Sequence, residues 1–219
     1  MNFETIKFER DGAVAIITLN RPDAANSLNV KMSEELVKVA THCDSNADIR
    51  AVVFTGAGKM FSAGGDLVSF AAQGDNMGEY MRYATTGLHA AISRFARMNA
   101  PFLVAVNGVA AGAGFSMAIC GDMVFAAESA KFTMAYTRAG VSPDGSSTFF
   151  LPRLVGHVKA MQLILMNDLL TAGQAKEWGL VNEVVADAEL IARGLPPIMC
   201  KVAQPETVAM FRSKPVSKS

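Results

Sequence analysis

Net charge is missing from this sequence. Twenty basic and twenty acidic side chains cancel, so no long-range field draws the chain to nucleic acid or to an anionic membrane, and an anionic ligand has to be met by local groups. Charge of either sign is scarce, at 18% of 219 residues, while 51% are hydrophobic. That balance excludes a disordered chain and suits one well-buried α/β core. Cysteine is scarce too: Cys43, Cys120 and Cys200 are scattered and free of any CxxC or Cys/His spacing. A disulfide scaffold and a metal site are thereby disfavoured, and a reducing, cytoplasmic setting is expected. The first ten residues carry Glu4, Lys7, Glu9 and Arg10, which leaves no apolar signal-peptide core. One uncharged stretch, 101–120, matches a membrane span in length. Pro101, Asn107, Gly108, Gly112 and Gly114 break it into a strand, a loop and a buried helix, so no membrane partner is expected. There is no repeat of solenoid length, no linker-like tract, no phosphate loop and no GxSxG elbow.

What is present is alternation of strand and helix patterns. Residues 3–9 and 13–19 read as strands, with Asp11-Gly12 as the hairpin turn between them. A loop over 20–29 yields to an amphipathic helix over 30–43, then a buried strand over 50–56 and a long helix over 77–98. Strands follow at 102–106, 122–126 and 131–135, with a short helix at 113–120, and further helices at 146–154, 158–166 and 171–178, the last ended by Gly179.

Two turns rich in glycine and alanine follow strands: Phe61-Ser62-Ala63-Gly64-Gly65-Asp66-Leu67 and Asn107-Gly108-Val109-Ala110-Ala111-Gly112-Ala113-Gly114. Small residues let backbone approach a ligand and leave amide N–H groups free to point into a cleft. The second turn runs into a helix whose dipole adds partial positive charge there. Either an oxyanion hole or tight packing of strand on helix accounts for such turns.

Together with Asn20-Arg21-Pro22, Asn26 and Leu28-Asn29, these turns resemble the ordered signature of the enoyl-CoA hydratase/isomerase (crotonase) family. The resemblance continues through Gly121-Asp122, Ser129-Ala130-Lys131-Phe132, Gly140-Val141-Ser142-Pro143-Asp144-Gly145 and Leu151-Pro152-Arg153-Leu154-Val155-Gly156, and ends with Thr171-Ala172-Gly173-Gln174-Ala175-Lys176-Glu177-Trp178-Gly179 and Leu180-Val181-Asn182. It implies an α/β fold, a crotonase-like spiral of ββα units over 1–185, followed by a C-terminal helical region over 186–219 that is shorter than is usual in the family. The ligand it implies is an acyl-CoA thioester, with coenzyme A as part of the substrate and no separate cofactor. A homotrimer or hexamer is the implied assembly. By the same resemblance the amides of Gly65 and Ala113 hold the thioester oxygen, while Ala25, Ala63, Gly64, Asp66, Leu67 and Gly112 border the CoA moiety.

Hydratases of the family carry two glutamates at positions that here hold Ser116 and Tyr136, which stay as substrate contacts in the implied site. A serine and a phenol supply a proton poorly near neutral pH, so hydration loses ground. Asp144 stands where isomerases of the family place their acid/base, and one carboxylate is enough for a 1,3-proton shift. Alternatively Asp144 is a turn or helix-cap residue ahead of Gly145-Ser146-Ser147-Thr148. The same region resembles benzoyl-CoA dehalogenases, which use an aspartate with a histidine and a tryptophan; Ser93 and Tyr136 match the latter two and argue against that chemistry. His42, His89 and His157 read as ordinary surface or core residues. A hydratase and a catalytically silent acyl-CoA binder remain as alternatives to the isomerase.

Overall fold

Alternating side chains near the N-terminus form the expected hairpin. Strand β1 (Ile6–Asp11) pairs antiparallel with β2 (Val14–Leu19), with Ile6 opposite Leu19 and Asp11 opposite Val14. The tip is Gly12-Ala13, one residue later than the sequence suggests. The positive φ, +57°, falls on Gly12, the first central position, which is where a two-residue hairpin turn of type II′ needs it. The computed structural model describes residues 1–190; most of the C-terminal region expected over 186–219, and Cys200, lie outside the described residues.

Beyond the hairpin the strands come in pairs, β3 (Ala51–Gly56) with β4 (Met60–Ser62), β5 (Phe102–Val106) with β6 (Val109–Ala111), and β7 (Met123–Ala127) with β8 (Lys131–Thr133). With β9 (Leu170–Thr171) and β10 (Glu183–Val185) they make two sheets, one ordered β1-β2-β3-β5-β7-β10 and the other β4-β6-β8-β9. The first strand of each pair enters the large sheet and the second enters the small one. Helices close the turns: α1 (Val30–Ser45), α2 (Leu67–Ala71) and α3 (Met77–Phe95), α4 (Ala113–Ile119), α5 (Ser147–Val155), α6 (His157–Met166) and α7 (Ala172–Glu177). This recurrence of strand, strand and helix is the spiral of ββα units that the resemblance implies.

The long elements lie where their periodicity puts them. The three-residue strands β4 and β6 and the five-residue α2 do not show in the sequence, because so few residues carry no period. The uncharged stretch 101–120 folds as β5, β6 and α4, and among the described residues no helix is long and apolar enough to cross a membrane.

Covered on both faces, β5 and the first four residues of β3 are continuous apolar runs, as a buried parallel sheet requires, and the Thr55 hydroxyl that follows donates to the Ala105 carbonyl. Phe54 on β3 packs against Phe61, Phe95 and Phe102, and Phe95 stacks on Phe102 with ring centroids 4.5 Å apart. Burying a phenylalanine contributes about 1.5–3 kcal/mol, so this cluster fixes the C-terminal half of α3 firmly against the sheet. At its middle α3 meets α1 so closely that a Cβ on Gly87 would lie 2.7 Å from Ser33 Oγ. Helix α3 is therefore held at two places, and the segment between them carries His89.

Candidate active site

Two backbone turns meet where the small sheet ends. In register, Met60 lies opposite Val109 and Ser62 opposite Ala110, so the segments that leave β4 and β6 emerge side by side. Gly64 and Gly112 have φ of +97° and +52°, left-handed values that favour glycine. Contact between the turns leaves no room for side chains. A Cβ on Gly64 would stand 2.8 Å from the Ala111 carbonyl and 3.1 Å from the Ala113 nitrogen, and one on Gly114 would stand 2.4 Å from the Ser62 carbonyl. Tight packing and a free backbone, the two readings left open by the sequence, are here the same feature.

Hydrogen bonding decides which amides stay available. Leu28 donates its N–H to the Gly64 carbonyl at 2.7 Å and accepts the Asp66 N–H at 2.9 Å. In such a parallel bridge the residue between the two bonds, Gly65, turns its own N–H away from the partner. Ala113 is the first residue of α4, where the N–H has no intrahelical acceptor. Among the described residues, neither amide meets an acceptor. The loop beneath is stitched in place by Asn26, fully buried at φ +51°, whose side-chain amide donates to the Ala57 and Met60 carbonyls.

Gly65 and Ala113 both line a cavity of about 550 Å³ whose other walls include Asp144, Tyr136, His89 and the apolar side chains of Leu28, Phe70 and Leu88. Asp144 is the one carboxylate in that lining among the described residues. Its carboxylate does not cap α5: the Asp144 carbonyl, not the side chain, accepts the Ser147 N–H at 3.0 Å and the Ser147 hydroxyl at 2.7 Å. The carboxylate instead accepts the Tyr136 hydroxyl on Oδ1 at 2.7 Å, and its Oδ2 lies 3.5 Å from His89 Nε2. Behind Tyr136, the Ser116 hydroxyl lies 2.7 Å from the phenolic oxygen and 3.0 Å from the Asp144 carbonyl. Burial, with the Asp144 charge in support, pushes the Tyr136 phenol well above its ordinary pKa. His89 Nε2 accepts the Gly145 N–H at 3.2 Å.

The family model of enoyl-CoA hydratase/isomerase matches residues 9–215. The chain belongs to this family. A probable enoyl-CoA hydratase of Rhodobacter capsulatus is 41% identical over 189 residues, covering 86% of this chain and 72% of that protein. The 1,2-epoxyphenylacetyl-CoA isomerase of Escherichia coli is 40% identical over 181 residues, covering 81% and 68%. The crystal structure of an enoyl-CoA hydratase from Bacillus anthracis superposes with a TM-score of 0.89 at 32% identity, covering 95% of this chain and 81% of that one. The spiral is thus the crotonase fold, and this member of the hydratase/isomerase family is an enzyme of acyl-CoA thioesters.

Of the positions singled out in the sequence of this hydratase/isomerase homologue, Ala63, Gly65, Leu67, Gly112, Ala113, Tyr136 and Asp144 line the cavity. Ala25, Gly64, Asp66 and Ser116 do not. Ser116 is 0% exposed and cannot touch a ligand, which corrects its place among the substrate contacts. The Asp66 side chain is engaged within the turn: its Oδ2 pairs with Arg21 at 2.9 Å and its Oδ1 caps α2 through the Ser69 N–H at 3.0 Å, which leaves only its backbone to border a ligand. Burial opposes its charge, but the bonds from Ser69 and Arg21 prevail and hold the carboxyl below the usual carboxylate range. Gly64 is sealed against Ala111, and the Ala25 carbonyl accepts the Ala63 N–H at 3.0 Å, so both support the turn from below.

His89 is the residue that sequence reasoning missed. Met81, Thr85, Leu88 and His89 share one stripe of α3 at helical spacing and all line the cavity, so the stripe was the available signal. Ser93, one turn further along, instead accepts a hydrogen bond from Arg97 at 3.2 Å. Cys43 and Cys120 are buried, which pushes each thiol up to about 12 and removes both as nucleophiles.

Proposed function

We propose that the chain is an enoyl-CoA isomerase that moves a double bond by a single-carboxylate proton shift. Asp144 removes a proton from the carbon beside the thioester of a 3-enoyl-CoA. The resulting charge spreads to the thioester oxygen, where the N–H groups of Gly65 and Ala113 receive it. Asp144 then returns the proton two carbons further on and yields the 2-enoyl-CoA. No cofactor is needed beyond the CoA that the substrate brings.

One observation carries this reading: among the described residues, a single carboxylate shares a cavity with two amides that meet no acceptor. Hydration needs a second group to orient water, and the positions where hydratases carry glutamate hold a sealed serine and a tyrosine already bonded to Asp144. The test is a spectrophotometric assay with a 3-enoyl-CoA and with crotonyl-CoA. Conversion of the first, abolished by Asp144→Asn in a folded protein, is the expected result. Hydration of crotonyl-CoA that survives this change would point to a hydratase, and binding of both without turnover to a silent binder.

A second reading is favoured by His89. With a histidine beside Asp144, the carboxylate attacks a ring carbon of a 4-halobenzoyl-CoA, expels halide, and leaves an aryl ester that water cleaves, with His89 as base once its Nε2 releases the Gly145 N–H. Halide release, measured on the same protein, separates it from the isomerase.

A further inference from the structure

We propose that Tyr136, backed by Ser116, is a positioning residue that assigns both halves of the proton shift to one oxygen of Asp144, Oδ2. This rests on the isomerase reading above and adds to it a device that reading does not require.

The direction of the hydrogen bonds follows from their inventory. An ionised carboxylate only accepts, so the Tyr136 hydroxyl gives its single proton to Asp144 Oδ1 at 2.7 Å. The phenolic oxygen then accepts from Ser116, whose hydroxyl is 2.7 Å away and fully buried. Ser116 Oγ also lies 3.0 Å from the Asp144 carbonyl, which can only accept, so the single Ser116 proton is shared between the phenol and the backbone of the residue it serves. Gly145 permits this closeness: at φ +58°, a Cβ there would stand 2.8 Å from Ser116 Cβ. Burial keeps the phenol protonated, so it remains a donor whichever state Asp144 is in.

The consequence concerns where a proton can sit. When Asp144 takes a proton from substrate, the Tyr136 bond has already lowered the basicity of Oδ1, which leaves Oδ2 as the favoured oxygen for the proton. The neighbour of Oδ2 is His89 Nε2 at 3.5 Å, but its lone pair already accepts the Gly145 N–H. Among the described residues no unengaged acceptor lies beside Oδ2, so the proton goes back to the substrate from the oxygen that took it. A carboxyl free to rotate would expose the proton to water through either oxygen.

The experiment uses a 3-enoyl-CoA dideuterated at the carbon next to the thioester, with mass-spectrometric reading of deuterium at the new position in the product. In the wild type a substantial fraction is carried over. Tyr136→Phe should lower kcat by about ten- to a hundredfold, the scale of a small misplacement of a catalytic group, with KM altered less than about threefold. The carried fraction should fall by at least half. Ser116→Ala should move both readings the same way by a smaller factor, and it serves alone if Tyr136→Phe does not fold. A purely structural role would lower the melting temperature and leave the carried fraction where it was. Variants with wild-type kcat and an unchanged carried fraction would overturn the proposal while the isomerase reading stands. A wild type that isomerises no 3-enoyl-CoA would remove both.

Discussion

The two halves of this site are built on different principles. The amides of Gly65 and Ala113 are placed by main chain alone, in turns packed so closely that Gly64 and Gly114 leave no room for a Cβ. The carboxylate of Asp144 is placed by side chains drawn from α4 and the segment after β8, through hydrogen bonds of 2.7–3.0 Å, with His89 of α3 holding the next residue through the Gly145 N–H at 3.2 Å. Close backbone packing is rigid and unforgiving, since protein interiors do not compress to admit an added methyl group. A hydrogen-bonded chain can lose one member and keep its fold. On the proposed mechanism, the donors that must be ready before charge develops sit in the rigid half, while the group that changes its protonation sits in the half that tolerates change.

Substitutions can break that contrast, and the largest effect is expected at the proposed proton carrier. Asp144→Asn keeps an acceptor for Tyr136 and removes the acid/base, so activity on a 3-enoyl-CoA should fall by about 10²–10⁴ with little change in melting temperature. Next comes the loss of one amide. Ala113 is the first residue of α4, a position where proline fits a helix because the N–H is unbonded anyway. Ala113→Pro should therefore cost about 10²–10³ in kcat, the toll of one oxyanion donor, while circular dichroism stays native. An active Ala113→Pro enzyme would mean that this amide does not meet the oxyanion.

Stability is the measure for the packing itself. Gly114→Ala puts a methyl group 2.4 Å from the Ser62 carbonyl, with Ser62 Cβ at 2.8 Å. Neither neighbour is the far end of a flexible chain, so the strands must shift, at a cost of about 1–3 kcal/mol in urea unfolding. Ser116→Ala, in the other half, should cost less. If it costs more, the contrast between a rigid main-chain half and a tolerant side-chain half fails.

The same contrast explains what was legible in the sequence. A left-handed φ or a missing Cβ has to be met at that very position, so Gly64, Gly112 and Gly114 mark the main-chain half in one dimension. The long strands and helices were legible for a related reason, because their burial repeats along the chain. The side-chain half has no local signature. Tyr136 lies eight residues from Asp144, Ser116 lies 28 away, and His89 lies 56 from Gly145. Ser116 and Tyr136 were expected to touch substrate, yet Ser116 is hidden behind the phenol, a relation that only the crossing of α4 with the segment after β8 creates. His89 reads as an ordinary residue because a lone histidine on a helix carries no sign of what faces it.

Asp66 is where the main-chain half comes to depend on charge, and it gives the smallest and most specific test. Its carboxyl pairs with Arg21 and caps α2, while its own N–H completes the bridge that turns Gly65 outward. Its pKa is lowered in the folded chain, and that of the buried Glu35, bonded to Thr5 and Glu4, is lowered as well. A lowered pKa means that the folded state favours the ionised form. The stability this adds is present above the unfolded carboxylate value of about 4 and is lost as pH falls through the lower folded value. Asparagine is as good a helix cap as aspartate, so Asp66→Asn should keep α2 and remove only the charge, at about 1–2 kcal/mol near pH 7. Urea midpoints followed from pH 7 to pH 3 should then fall less steeply than in the wild type, with the remaining slope carried partly by Glu35. Equal slopes would mean that Arg21 holds this turn no better than water does, and that the bridge to Leu28 keeps Gly65 in place unaided.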